Sequence, residues 1–228
     1  MSTSPRIKGV MAAGLTAFND DLSVDIDLTL DHTRWLLDSG CDGVLLFGTT
    51  GEANSLSVAE RPFYYKNPSD EGLFTHFSRT FAAIGSDAMK VYLYHFPQMS
   101  AVPFSHELIA RLLKEFPNTV CGIKDSSGDF ENMKAMAEKF PGFDVFAGTE
   151  RYLLDTLKAG GVGTITATGN VTVGGCAKVF AAWKAGSAEA DTLQDQLTRE
   201  RLTLQNYPAA AALKELLAKN SGKASWRN

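Results

Sequence analysis

Six short apolar runs, over residues 10–18, 43–47, 90–96, 119–125, 143–148 and 162–168, are separated by segments of helical periodicity. No other feature of the chain constrains its fold as strongly. The runs are apolar on both faces rather than alternating, the pattern of parallel strands covered on two sides. Between them Leu108, Ile109, Leu112, Leu113 and Phe116 recur at helical spacing, as do Phe130, Met133, Ala137 and Phe140. Leu153, Leu154 and Leu157 form a shorter stripe, and Leu28, Trp35, Leu36 and Leu37 fall in the first helix; all are expected in the core. Alternating β and α segments predict an α/β fold. Six strands suit an open doubly wound sheet, yet no G-x-G-x-x-G or Walker A sequence follows the first strands. A closed (β/α)8 barrel needs eight strands. Strand counting leaves both architectures open.

With 228 residues, 44% hydrophobic and 21% charged, the chain has ordinary globular composition. A formal net charge of -4 without a basic block argues against nucleic acid as a partner. No apolar run reaches membrane-span length and no signal-type h-region opens the sequence, so a cytoplasmic location is expected. Cys41, Cys121 and Cys176 form no C-x-x-C pair and lie among apolar or small residues, which predicts buried free thiols. The four histidines show no metal-ligand spacing, so no metal or other cofactor is expected.

Three stretches stand where parallel α/β proteins place their chemistry, at the C-terminal ends of predicted strands. In VCGIKDSSGD, Lys124 ends an apolar strand. Burial favours the neutral amine, which can attack a ketone and form a Schiff base. Alternatively Lys124 pairs with Asp125 or snorkels outward. In VYLYHFP, Tyr94 sits near the strand end beside His95. It is either a proton shuttle or a core tyrosine, and His95 reads as structural. FGTTGEANS follows the second strand, and its consecutive backbone N–H groups beside a helix start form either an anion site for a small carboxylate or a plain βα turn.

The ordered set GTTGE, PFYYKNPSDEG, YLYHFP, GIKDSSGD, AGTE and GTITATGN resembles the dihydrodipicolinate synthase / N-acetylneuraminate lyase family, over nearly the whole chain. The resemblance implies the TIM (β/α)8-barrel fold with extra C-terminal helices, here lacking about two strands: an incomplete βα barrel over residues 1–172 and a helical extension over 173–228, in one domain and usually in a homotetramer. It implies aldolase chemistry through an enzyme–pyruvate Schiff base. Lys124 matches the Schiff-base lysine and Tyr94 the proton-relaying tyrosine. Thr49 and Thr50 match the pair that holds the pyruvate carboxylate, with Thr49 also in the relay. Tyr65 matches a tyrosine that reaches across a dimer interface to complete the relay. Ile165 lies in the strand that lines the pyruvate pocket, and Gly148 of the AGTE segment is expected among the substrate-binding residues.

Members that use aspartate semialdehyde carry an arginine after the YLYHFP-type proline; Met99 stands there and cannot pair with a carboxylate. Glu150 aligns with an acid that touches substrate hydroxyls in sialic acid lyases. The preferred substrate is therefore a 2-keto-3-deoxy sugar acid or similar hydroxylated keto acid; dihydrodipicolinate synthase activity is disfavoured, and a degenerate member that binds a keto acid or partner without turnover is the alternative.

The stretch LSVAERPFYYKNPSD holds a seam. Ser57 and Glu60 have capping-box spacing and announce a helix. After Arg61, Pro62 begins what the family places at the end of its fourth strand. Somewhat less than two βα units are missing between them, at about 30 residues per unit. Either a segment is absent from the sequence as given, or the gene carries a deletion or fusion, or the shorter chain folds as a gapped barrel closed by other segments or a partner chain.

Overall fold

The computed structural model describes residues 7–19, 25–45, 69–84, 89–100 and 102–227. Six parallel strands form one curled sheet: β1 (Gly9–Ala13), β2 (Gly43–Leu45), β3 (Val91–His95), β4 (Val120–Asp125), β5 (Asp144–Ala147) and β6 (Gly163–Thr166). Their order across the sheet is β2-β1-β6-β5-β4-β3. A closed barrel running in chain order would have the first strand pair with the last, and β1 does pair with β6. The break lies between β2 and β3, which are the two edges among the described residues. Both are separated in sequence by the Arg61–Pro62 seam. Arg61, Pro62, Ser57 and Glu60 themselves lie outside the described residues.

The helices are α1 (Ile26–Asp38), α2 (Asp70–Ile84), α3 (Pro97–Ser100), α4 (His106–Glu115), α5 (Phe130–Lys139), α6 (Leu153–Lys158), α7 (Gly169–Lys184), α8 (Glu189–Leu204) and α9 (Ala209–Ser221). Local chemistry starts several of them. Asp25, Ser105 and Asp129 each accept a backbone N–H three residues on, at Leu28, Leu108 and Asn132, which satisfies donors the first helical turn leaves free. One core lies outside β3–β5, where Ile109, Leu112, Met133 and Met136 meet Leu93, Ile123 and Val145. A second lies outside β1, where α1, α6, α7 and α8 meet. The inner face carries a smaller cluster of Met11, Phe146 and Ile165, with Tyr92 against it.

Two sequence expectations need correction. The first strand was expected to run through residue 18, but it ends at Ala13. Leu15, Thr16 and Ala17 are as buried as the strand itself, so apolarity continues where the ladder does not. The backbone there is satisfied by side chains: the N–H of Leu15 donates to Asn170 at 3.0 Å and that of Ala17 to Thr29 at 3.1 Å. Trp35 and Leu37, expected in the core, are 45% and 46% exposed. Consecutive residues cannot share one face of a helix, and Leu36 takes the buried position. The three cysteines are buried and unpaired.

Candidate active site

Lys124 is the fifth residue of β4 and belongs to the inner face of the sheet. Its register neighbours are Tyr94 on β3 and Phe146 on β5. Two residues earlier on the same face stands Gly122, between Tyr92 and Asp144. A Cβ there would lie 2.2 Å from the carbonyl oxygen of Asp144 and 2.8 Å from the Tyr92 ring. Glycine therefore lets the Tyr92 hydroxyl donate across the strand to Asp144 at 3.0 Å. Tyr92 and Phe146, whose rings meet edge-on at 5.8 Å, fill the interior, and Lys124 sits above this layer at the C-terminal end.

Only 8% of Lys124 is exposed. Burial pushes its pKa from 10.5 down to about 8, because an ammonium taken out of water loses its hydration. Asp125 does not neutralise it: the next residue on a strand faces the other way. The Asp125 carboxylate instead accepts the Ser127 N–H at 2.8 Å and the Asn132 side-chain amide at 2.7 Å. What faces the ammonium is the Tyr94 ring, with Nζ 4.3 Å from its centroid. At pH 7 about one amine in ten is neutral, against fewer than one in a thousand for an ordinary lysine.

A cleft of roughly 450 Å³ opens over Lys124. Tyr94, Met99 and Gly148 also line it. Gly148 has no room for a side chain: a Cβ would fall 2.2 Å from Ser126 Oγ and 2.6 Å from the Asp125 carbonyl oxygen. Met99, in α3, is 63% exposed at the rim. His95 turns away from the cleft and accepts the Phe104 N–H through Nδ1 at 3.1 Å.

The two remaining described residues expected at the substrate, Ile165 and Glu150, lie on opposite faces of the sheet. Ile165 packs with Met11 and Phe146 on the inner face, the face that carries Lys124. Its strand neighbour Thr166 therefore points outward, and Thr166 donates to Glu150 at 2.6 Å. Glu150 is fully buried on that outer side. Thr168 and Thr172 also donate to it, and Arg201 Nε lies 3.7 Å away. A carboxylate so enclosed has no face left for substrate hydroxyls, so the substrate contact expected of Glu150 is corrected to a structural one. Thr49, Thr50 and Tyr65 lie outside the described residues.

Sequence reading missed the wall supplied by the turn after β5 and by α8. Thr149, Arg151, Tyr152, Arg201 and Gln205 all line the cleft. Arg201 and Gln205 are spaced i,i+4 and so share a helix face; that spacing was the available signal. Among the described residues no group of three or more His, Cys, Asp or Glu could hold a metal ion, and no helix is long and apolar enough to cross a membrane.

Parallel βα units curled into a barrel-type sheet, with a cleft at the strand C-termini, define the class of barrel enzymes. The chain belongs to the Dihydrodipicolinate synthetase family, whose profile matches residues 6–62 and 61–223, two pieces that meet at the Arg61–Pro62 seam. Members of this family are pyruvate-dependent lyases and aldolases. An "Uncharacterized DapA-like lyase" of Chloroflexus aurantiacus is 32% identical over 208 residues, covering 70% of this chain and 69% of that protein. A 4-hydroxy-tetrahydrodipicolinate synthase of Bartonella bacilliformis is 27% identical over 262 residues, covering 93% of this chain and 88% of the relative. Since 93% of 228 residues is about 212, about 50 of those aligned positions have no residue here. The crystal structure of dihydrodipicolinate synthase from Agrobacterium tumefaciens superposes with a TM-score of 0.84 at 28% identity, covering 97% of this chain and 91% of that one.

Proposed function

We propose that this chain is a carbon–carbon lyase in which Lys124 forms a Schiff base with pyruvate or another 2-keto acid. The observation that carries the reading is the buried Lys124, without an ion pair among the described residues, at the floor of the cleft with Tyr94 over it. The neutral amine adds to the keto carbon, and loss of water leaves an iminium. The iminium draws electrons from the neighbouring carbon, whose proton Tyr94 removes through the relay, giving an enamine. The enamine carbon bonds to an aldehyde carbon, and the aldehyde oxygen takes up the proton. Water then releases the product and restores Lys124. The reverse sequence cleaves a 4-hydroxy-2-keto acid. Thr49 and Thr50 hold the keto-acid carboxylate in this scheme, and Tyr65 completes the relay from a second copy of the chain in a homodimer or homotetramer.

The preferred substrate class is a hydroxylated 2-keto acid of the 2-keto-3-deoxy sugar type. Met99 at the rim offers no partner to a carboxylate, while Ser126, Thr149 and Gln205 offer hydrogen bonds to hydroxyls. Glu150 lends this choice no support. The names of relatives such as the Bartonella synthase favour a second reading, condensation of pyruvate with aspartate semialdehyde. Coupled detection of pyruvate released from 2-keto-3-deoxy sugar acids, run beside pyruvate consumption with aspartate semialdehyde, separates the two. Turnover of the sugar acids alone is expected. Turnover of aspartate semialdehyde alone would overturn the substrate class, and no turnover of either would favour the non-catalytic, ligand-binding alternative.

A further inference from the structure

Of the fifteen described residues lining the cleft, Lys124, Arg151 and Arg201 are cationic and none is acidic. One lysine is enough for the Schiff base, so the two guanidinium groups need another explanation. Arg201 reaches Glu150 only through Nε at 3.7 Å, and that carboxylate is already held by three threonine hydroxyls. Arg151 forms no ion pair among the described residues, and its Nε is buried without a hydrogen-bond partner. Its guanidinium lies 5.5 Å from the Tyr152 ring centroid. A buried donor without an acceptor is costly, and natural sites resolve that cost with a ligand or water.

The two arginines are also held in relation to each other. Gln194 Nε2 donates to the carbonyls of Glu150 and Arg151 at 3.0 and 3.1 Å. About two turns further along α8, Arg201 donates to Thr149 Oγ1 at 3.3 Å. The turn that carries Arg151 is thus pinned to the helix that carries Arg201. Planar guanidinium groups in a fixed arrangement match a carboxylate better than a lysine does.

We propose that Arg151, with Arg201 beside it, forms a distal anion subsite, so that within the hydroxylated 2-keto acids preferred above the substrate is a diacid, with a second carboxylate at the end remote from its keto group. This rests on Lys124 being the Schiff-base lysine. It places recognition of the far end on the 149–151 turn and α8, rather than on α3, where Met99 stands.

The test needs no turnover. Borohydride trapping on Lys124, read by peptide mass spectrometry, gives a half-saturating concentration for each keto acid. The diacids 2-oxoglutarate and 2-oxoadipate are compared with the monoacids 2-oxopentanoate and 2-oxohexanoate, which match them in length. At least one diacid is expected to half-saturate about tenfold below its matched monoacid. R151Q is expected to erase that ratio and R151K to keep part of it. Because the ratio is taken within each variant, the monoacid controls for damage at the keto-acid end. On the wild-type protein the preference is expected to shrink several-fold as salt rises from about 0.05 to 0.5 M, which serves if R151Q does not fold. Equal half-saturation of both diacids and monoacids, an undiminished ratio in R151Q, or a ratio indifferent to salt would overturn the subsite. Absence of any pyruvate adduct at Lys124 would instead reject the Schiff-base reading and the subsite with it.

Discussion

Replacing Lys124 by methionine should make the protein more stable at neutral pH while abolishing its chemistry. Burial lowers the Lys124 pKa from 10.5 to about 8, which corresponds to about 3 kcal/mol of penalty on the folded state whenever the amine is protonated. The Tyr94 ring, 4.3 Å from Nζ, returns about 1 kcal/mol. Methionine keeps the apolar stem and removes the charge. K124M should therefore gain about 2 kcal/mol at pH 7, or roughly 4–8 °C in melting temperature for a chain of this size. The pH dependence identifies the cause. Below about pH 8 both folded and unfolded states hold the proton, and the penalty is fully present. Between about 8 and 10.5 the unfolded state binds more protons than the folded one, so wild-type stability rises with pH. The advantage of K124M should shrink across that window and reverse or vanish above it. Urea denaturation of both proteins at several pH values from 7 to 11 reads the difference. If K124M is no more stable at pH 7, and the difference stays flat with pH, Lys124 is not the desolvated amine described above.

Y94F keeps the ring over Nζ and removes only the hydroxyl; adduct formation with pyruvate should persist while turnover falls on the order of 100-fold, measured as trapping against steady-state rate on the same preparation. G148A forces a Cβ to within 2.6 Å of the Asp125 carbonyl oxygen and should cost about 1–3 kcal/mol, seen as a lower denaturation midpoint with slower trapping at Lys124. E150A removes the acceptor of three buried hydroxyls and the partner of Arg201, and should cost about 3 kcal/mol; an unchanged midpoint with a raised KM would return Glu150 to the substrate.

The parts of the fold that were legible in the sequence are those where burial and hydrogen bonding follow one pattern. The runs at 119–125 and 143–148 became β4 and β5 with small losses at their ends, because strands buried on both faces are apolar throughout. The run at 10–18 misled for the same reason. Leu15 and Ala17 are buried in a loop whose N–H groups are capped by Asn170 and Thr29, partners that no local pattern announces. At the site, Lys124, Tyr94, Gly148 and Met99 line the cleft because strand ends converge there. Glu150 was misplaced by a single position: in the tight turn after β5 its side chain goes outward, while Thr149 and Arg151 line the cleft. Arg201 comes from a helix some 50 residues downstream of that turn, a contact that only tertiary packing creates. The pairing of β1 with β6, by contrast, follows from the barrel topology the resemblance implied.

The most direct test of the whole account is borohydride trapping with pyruvate alone, followed by intact mass and peptide mapping. The account predicts one pyruvyl adduct per chain, located on Lys124, lost in K124M, and forming faster as pH rises toward 8, where the neutral amine becomes abundant. An unmodified Lys124, or an adduct spread over surface lysines and unaffected by K124M, would contradict it.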